Sequence, residues 1–157
     1  MKAATVSKIK KELQHRSPNE LLEICLRLAK FKKENKELLT YLLFESDHEA
    51  DYIEGIKAEI TEQFQEINTS SYYYIKKSVR KILRNIKKHS RYSTKKETEV
   101  ELLIYFCSQF KNINPPMEQN QTLHNIYLRQ LDVINKVVNT LHEDLQYDYQ
   151  REIEALR

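Results

Sequence analysis

Apolar positions along the chain recur at helical spacing. Leu21, Leu22, Cys25, Leu28 and Ala29 stand at i, i+1, i+4, i+7 and i+8, the stripe that one side of a 3.6-residue helix presents. Comparable stripes run through Ile53, Ile56, Ile60, Phe64 and Ile67, then Ile75, Val79, Ile82, Leu83 and Ile86, then Val100, Leu103, Phe106, Cys107 and Phe110. Carrying the first stripe on by a heptad would bury Asn35 and Lys36, so a break is expected near Lys32 to Glu34. A short helix should begin at Asn35, with Leu38, Leu39, Leu42 and Leu43 on its face. Towards the end of the chain, Tyr127, Leu131, Ile134, Val138, Leu141 and Leu145 follow one another at 4-3-4-3-4 spacing, and Tyr149, Ile153 and Leu156 extend the apolar edge. That regularity predicts one C-terminal helix of about 35 residues.

Helix starts are marked by Ser/Thr-x-x-Glu, in which hydroxyl and carboxylate satisfy backbone N–H groups that the first turn leaves open. Ser17-Pro18-Asn19-Glu20 is the strongest such box, because proline at the first helical position has no N–H to lose. Ser46 with Glu49 and Thr94 with Glu97 mark two further starts, whereas the same pattern at Thr98 and Thr140 falls inside predicted helices. Pro115-Pro116 ends the helix that contains Phe110, since neither ring can continue the hydrogen-bond ladder. The run Leu102 to Phe106 has strand-like composition, but its flanks extend the helical period. With one Gly and three Pro, the chain lacks the regular turn signals of a β-sandwich or barrel. The expectation is an all-α fold over residues 1–157 as a single domain. Six to seven amphipathic helices would form a compact bundle or a short stack of helical hairpins, with a long C-terminal helix.

Composition sharpens this picture. A domain of 157 residues buries roughly 70% of its unfolded surface, enough to fold without metal or disulfide staples. Forty per cent hydrophobic residues and ten Tyr are too apolar and aromatic for a disordered chain, while 31% charged residues are too many for a membrane protein. The longest apolar stretches, Leu38 to Phe44 and Leu102 to Cys107, fall far short of the roughly 20 residues of a spanning helix. Met1 to Arg16 has lysines but no apolar run of a secretory signal, and the expected location is cytoplasmic. Cys25 and Cys107 form no C-x-x-C pair; each falls on an apolar stripe and is expected to be a reduced core thiol. Gly55, in mid-helix, is expected to permit close helix packing.

Charge changes the picture most. From Asn68 to Lys96 there are ten Lys or Arg and no acid, so this stretch carries +10 while the remainder carries −7. On a helix at about Tyr72 to Ser90, the apolar residues from Ile75 to Ile86 span an arc of about 100°, and Lys76, Lys77, Arg80, Lys81, Arg84, Lys87, Lys88 and Arg91 span a separate arc of about 140°. Tyr73 lies within the basic arc and Tyr92 follows it, an interleaving of rings and cations that suits single-stranded nucleic acid. These cations with Tyr73 are the candidate anion or nucleic-acid face. An anionic membrane fits less well, because the apolar arc is Ile, Val and Leu without Trp and is the kind a core takes up. Against a polyanion stands the preceding segment, Glu45 to Glu66, with eight acids and Lys57 as its one Lys or Arg. A short connection around Asn68 to Ser71 would make the two helices antiparallel neighbours and let flanking charges pair.

Catalytic chemistry has little to start from. Glu45-Ser46-Asp47-His48 matches the Glu-x-x-His spacing of di-iron bundles, but no second motif accompanies it and it coincides with the Ser46 cap. His15, His89, His124 and His142 form no i, i+4 pair, and a single Gly excludes a phosphate-cradling glycine loop. No enzyme activity, cofactor, metal or small-molecule substrate is expected.

Ser7-Lys8-Ile9-Lys10-Lys11-Glu12-Leu13 followed by Ser17-Pro18-Asn19-Glu20-Leu21-Leu22 resembles the opening of a family of small all-helical bacterial proteins of unknown function, and Lys77 to Phe110 is similar in order to that family's middle. The resemblance implies a helical fold and supplies no activity, cofactor or functional residue. The leading expectation is a non-enzymatic helical interaction or scaffold module for a protein partner or a second copy of itself; the alternative is a nucleic-acid-binding protein that uses the basic helix around 72–91.

Overall fold

The structure is a computed structural model describing residues 1–157. It is all-α, with helices α1 (Val6–Gln14), α2 (Pro18–Phe31), α3 (Lys33–Thr40), α4 (Glu49–Gln65), α5 (Tyr72–Ser93), α6 (Lys96–Lys111), α7 (Gln121–Val138) and α8 (Glu143–Leu156). A π turn, Tyr41–Glu45, follows α3, and a 3-10 turn, Met117–Gln119, precedes α7. The stretch expected to be one domain holds two compact units, residues 1–44 and 45–157. No helix is long and apolar enough to cross a membrane.

In residues 1–44 the Ser17 box forms as expected. Ser17 N–H donates to Glu20 Oε2 at 2.8 Å, and Glu20 N–H donates to Ser17 Oγ at 3.3 Å. The Ser17 N–H holds the Glu20 carboxyl below its ordinary range. Lys32, in extended conformation, separates α2 from α3, and the Asn35 amide donates to the Leu28 carbonyl at 2.8 Å across the break. Helices α2 and α3 enclose a small groove of about 190 Å³ between Cys25, Leu28 and Ala29 on one side and Leu38, Leu39 and Leu42 on the other. Helices α1 to α3 nevertheless bury no side chain fully. Cys25 is therefore exposed, contrary to the expected core position.

Residues 45–157 are built around α6. Val100, Leu102, Leu103, Ile104, Phe106, Cys107 and Phe110 are buried, and they point to more than one side of the helix. Helices α4, α5, α7 and α8 all pack against it. A helix apolar on several sides has to lie inside. Phe64 of α4, Phe106 and Phe110 of α6, and Tyr127 of α7 form a chain of rings with centroids 5.5, 5.4 and 6.1 Å apart. Each fully buried Phe contributes about 1.5–3 kcal/mol. Burial also pushes the Cys107 thiol up to about 12, so this cysteine is the expected inert core residue.

The single C-terminal helix predicted by the heptad is two helices. A straight run of 35 residues would be about 52 Å long, whereas α6 offers about 24 Å of surface. Breaking after Val138 returns Tyr149, Ile153 and Leu156 to the core, where Tyr127 Oη donates to the Leu156 carbonyl at 2.6 Å. Side chains complete the break. Thr140 Oγ1 donates to the Val137 carbonyl at 2.7 Å, the Gln146 amide donates to the Leu141 carbonyl at 2.8 Å, and the His142 ring accepts from the Asp144 N–H at 3.3 Å. Such local bonds give the backbone an alternative to continuing the helix.

Two expected caps do not form. Helix α4 begins after His48, not after Ser46, and its Glu49 carboxylate accepts from Ser93 and Thr98 and pairs with Lys95. Thr94 opens no helix; with φ 61 it ends α5 in the left-handed conformation, and α6 starts after Lys95. Gly55 permits no close approach either, because a Cβ added there meets nothing within 4 Å. In an exposed helix interior glycine carries its entropy cost without return. Gly55→Ala should therefore raise stability by about 0.5–1 kcal/mol in a urea titration; a loss of stability would mean that the glycine is needed for packing.

Candidate nucleic-acid interface

Helix α5 spans 22 residues, about 33 Å, and is divided lengthwise. Ile75, Val79, Ile82, Leu83, Ile86, Ser90 and Ser93 are buried. The helix packs against α4 and α6. Lys77, Arg80, Lys81, Arg84, Lys87 and Arg91 are exposed, and Lys76 and Lys88 are half-buried. The structure thus brings all eight candidate cations together on the outer arc, with Tyr73 among them. Tyr73 is 66% exposed and Tyr74 45%, and their rings meet edge to face at 5.3 Å.

The acidic helix α4 is the antiparallel neighbour of α5, as the short connection suggested. Glu49 reaches Ser93, Tyr52 reaches His89, and Asn85 donates to Gln63 at 3.1 Å. Its paired carboxylates reach the edge of α5 and residues beyond it. Glu49 pairs with Lys95 at 3.3 Å, Glu54 with Lys57 at 2.8 Å, and Glu59 approaches His89 at 3.9 Å. The α4-facing edge of α5 is engaged at Asn85, His89 and Ser93, and Lys88 has an interaction within the chain. Lys76, Lys77, Arg80, Lys81, Arg84, Lys87 and Arg91 make no hydrogen bond or ion pair within the chain. The screening expected from α4 therefore stops at one edge of the arc. A hollow of about 650 Å³ is lined by Tyr73, Lys76, Lys77, Arg80, Leu83, Arg84 and Lys87. Shape and charge together suit an elongated anion.

A second concave surface escaped the sequence reading because three helices supply it. Lys57 of α4, Glu101, Tyr105 and Ser108 of α6, and Asp148, Tyr149 and Glu152 of α8 line a depression of about 570 Å³. The only advance signal was helical spacing, Glu101 with Ser108 and Asp148 with Glu152. Lys57 pairs with Glu101 across the depression at 3.5 Å. Burial disfavours the Lys57 ammonium, but the bonds and charges of Glu54 and Glu101 outweigh it and raise its pKa. Ser108 Oγ donates to its own helix at the Tyr105 carbonyl, 2.7 Å, and the Tyr105 hydroxyl is hydrogen-bonded to the Thr61 hydroxyl at 2.6 Å. Burial, with smaller contributions from Glu101, Glu152 and other nearby acids, pushes Tyr149 up to about 12.

Compared with protein-family models, curated proteins and solved structures, the chain matches none of them.

Lys76, Arg80 and Arg84 follow at i, i+4 steps, so Arg80 repels both neighbours and gains no partner in return. Arg80→Glu should raise the Tm in low salt, and the gain should shrink as salt is added. A lower Tm in low salt would mean that Arg80 has an attractive partner.

Proposed function

We propose that this chain is a non-enzymatic interaction module of the cytoplasm whose principal ligand is nucleic acid, held on the basic arc of α5. One observation carries the reading: seven cations, six of them exposed and Lys76 half-buried, share the outer arc without an internal partner. Packing them there costs mutual repulsion and contributes nothing to the core, which the opposite face of α5 serves. Phosphates meeting the arc would relieve the repulsion and release counterions, with affinity falling steeply as salt rises.

A second reading, a protein partner or a second copy, is favoured by residues 1–44. Phe31 is 75% exposed and Phe44 71%, and Leu22, Leu28 and Leu43 are also more than half exposed. Large apolar side chains left in water in this number favour contact with another molecule. Light scattering at high concentration tests the self-associating form, and a strict monomer removes it.

For the principal reading, labelled oligonucleotides titrated at low and physiological salt should bind in a strongly salt-sensitive way. Reversing Arg80, Arg84 and Lys87 to Glu together should weaken binding by roughly a hundredfold or more. The reading fails if the unmodified protein shows no salt-sensitive binding, or if the triple reversal leaves affinity unchanged.

A further inference from the structure

The geometry of α5 points to the kind of nucleic acid: we infer that the arc is a track for a single strand, running from a stacking platform at Tyr73 and Tyr74 to Arg91. This rests on the nucleic-acid reading above and narrows it.

Three features select a single strand. The cations stand on five successive levels, at Lys76 and Lys77, Arg80 and Lys81, Arg84, Lys87 and Lys88, and Arg91. They form a nearly straight row with about one helical pitch, 5.4 Å, between levels. The phosphates of a duplex wind away from a straight line, so a rigid row on its flank meets few of them. A flexible single strand can follow all five levels. Next, Tyr73 and Tyr74 expose their rings at the N-terminal end of the row, and neither hydroxyl is bonded within the chain. An exposed aromatic ring offers a face for a base to stack on, and stacked base pairs in a duplex have no free face to give. Finally, the arc itself holds only Lys, Arg and Tyr, without the Asn or Gln that read adenine edges in the major groove. Backbone tracking with sequence-tolerant stacking is what such a surface does.

The direction of the row follows from the same residues. Tyr73 lies on the basic arc, one turn before Lys76 and Lys77, so a base stacked on it places its neighbouring phosphate at the first cation level. The hydroxyls take no part in this arrangement, and the rings alone are required.

The test is fluorescence anisotropy of the full chain with labelled oligodeoxythymidine and with a duplex of equal length, at several salt concentrations. Oligodeoxythymidine should bind at least tenfold more tightly than duplex, with log K falling against log salt at a slope of about −3.5, or 0.7 for each of five phosphates. Tyr73→Ala with Tyr74→Ala should cost roughly tenfold or more for the single strand and almost nothing for the duplex, whereas Tyr73→Phe with Tyr74→Phe should retain wild-type affinity. Circular dichroism of each variant checks that the helices remain; both tyrosines are exposed, so folding should be unaffected. Equal affinity for single strand and duplex, or no loss in the double Ala variant, overturns the single-strand track and leaves nucleic-acid binding standing. No salt-sensitive binding to either probe overturns both.

Discussion

The burial of α6 is the constraint on which the arrangement of residues 45–157 depends. Its apolar residues, from Val100 to Phe110, point to more than one side, and the helix reaches a stable state only when other helices cover it. Helices α4, α5, α7 and α8 do so. Each needs one apolar stripe for that task and keeps the rest of its circumference for water. The ring chain from Phe64 through Phe106 and Phe110 to Tyr127 links three of the five helices into one core.

The division of α5 follows from its place in this cluster. Five aliphatic residues from Ile75 to Ile86, with Ser90 and Ser93, are sufficient to hold it on the core, and its outer arc is under no packing demand. Natural surfaces usually mix charge signs on such an arc. Here the arc carries cations and Tyr73 without an acid, while in the acidic helix α4 Glu54 pairs with Lys57, Glu49 with Lys95 and the Ser93–Thr98 corner, and Glu59 approaches His89. Glu49 in particular stabilises the turn from α5 to α6, accepting from Thr98 at 2.5 Å. The electrostatic gradient between the acidic and basic segments thus survives folding. Residues 1–44 behave differently: their stripes are as regular, yet they close only a small groove and leave much apolar surface in water.

Much of this was legible in the residues. The stripes identified the helices, Lys32 and Pro115 marked real breaks, and the two faces of α5 were visible in its spacing. What failed had physical causes. A heptad pattern is blind to a turn that preserves its phase, so Val138, Leu141 and Leu145 read as one helix across the Asn139–His142 break. Thr140-Leu141-His142-Glu143 lay inside the predicted helix and stands at that break. Capping boxes are local signals, and tertiary partners overruled two of them: Glu49 found Ser93 and Thr98, and Thr94 took the left-handed position that ends α5. Stripe membership also says nothing about whether a cover exists, which is why Cys25 is exposed while Cys107 is buried. Whether the Arg80 face would be screened depended on where α4 directs its acids, a three-dimensional fact that no spacing encodes.

The central claim is that the outer arc of α5 is an open site for a single-stranded polyanion. Titrating oligodeoxythymidine into the isotope-labelled chain and following backbone amide shifts by NMR tests it residue by residue. The account predicts shifts concentrated between Tyr73 and Arg91, growing with each addition and reversed by salt. Shifts confined to residues 1–44 or to the depression around Lys57 and Tyr149, or no shifts at all, would contradict it.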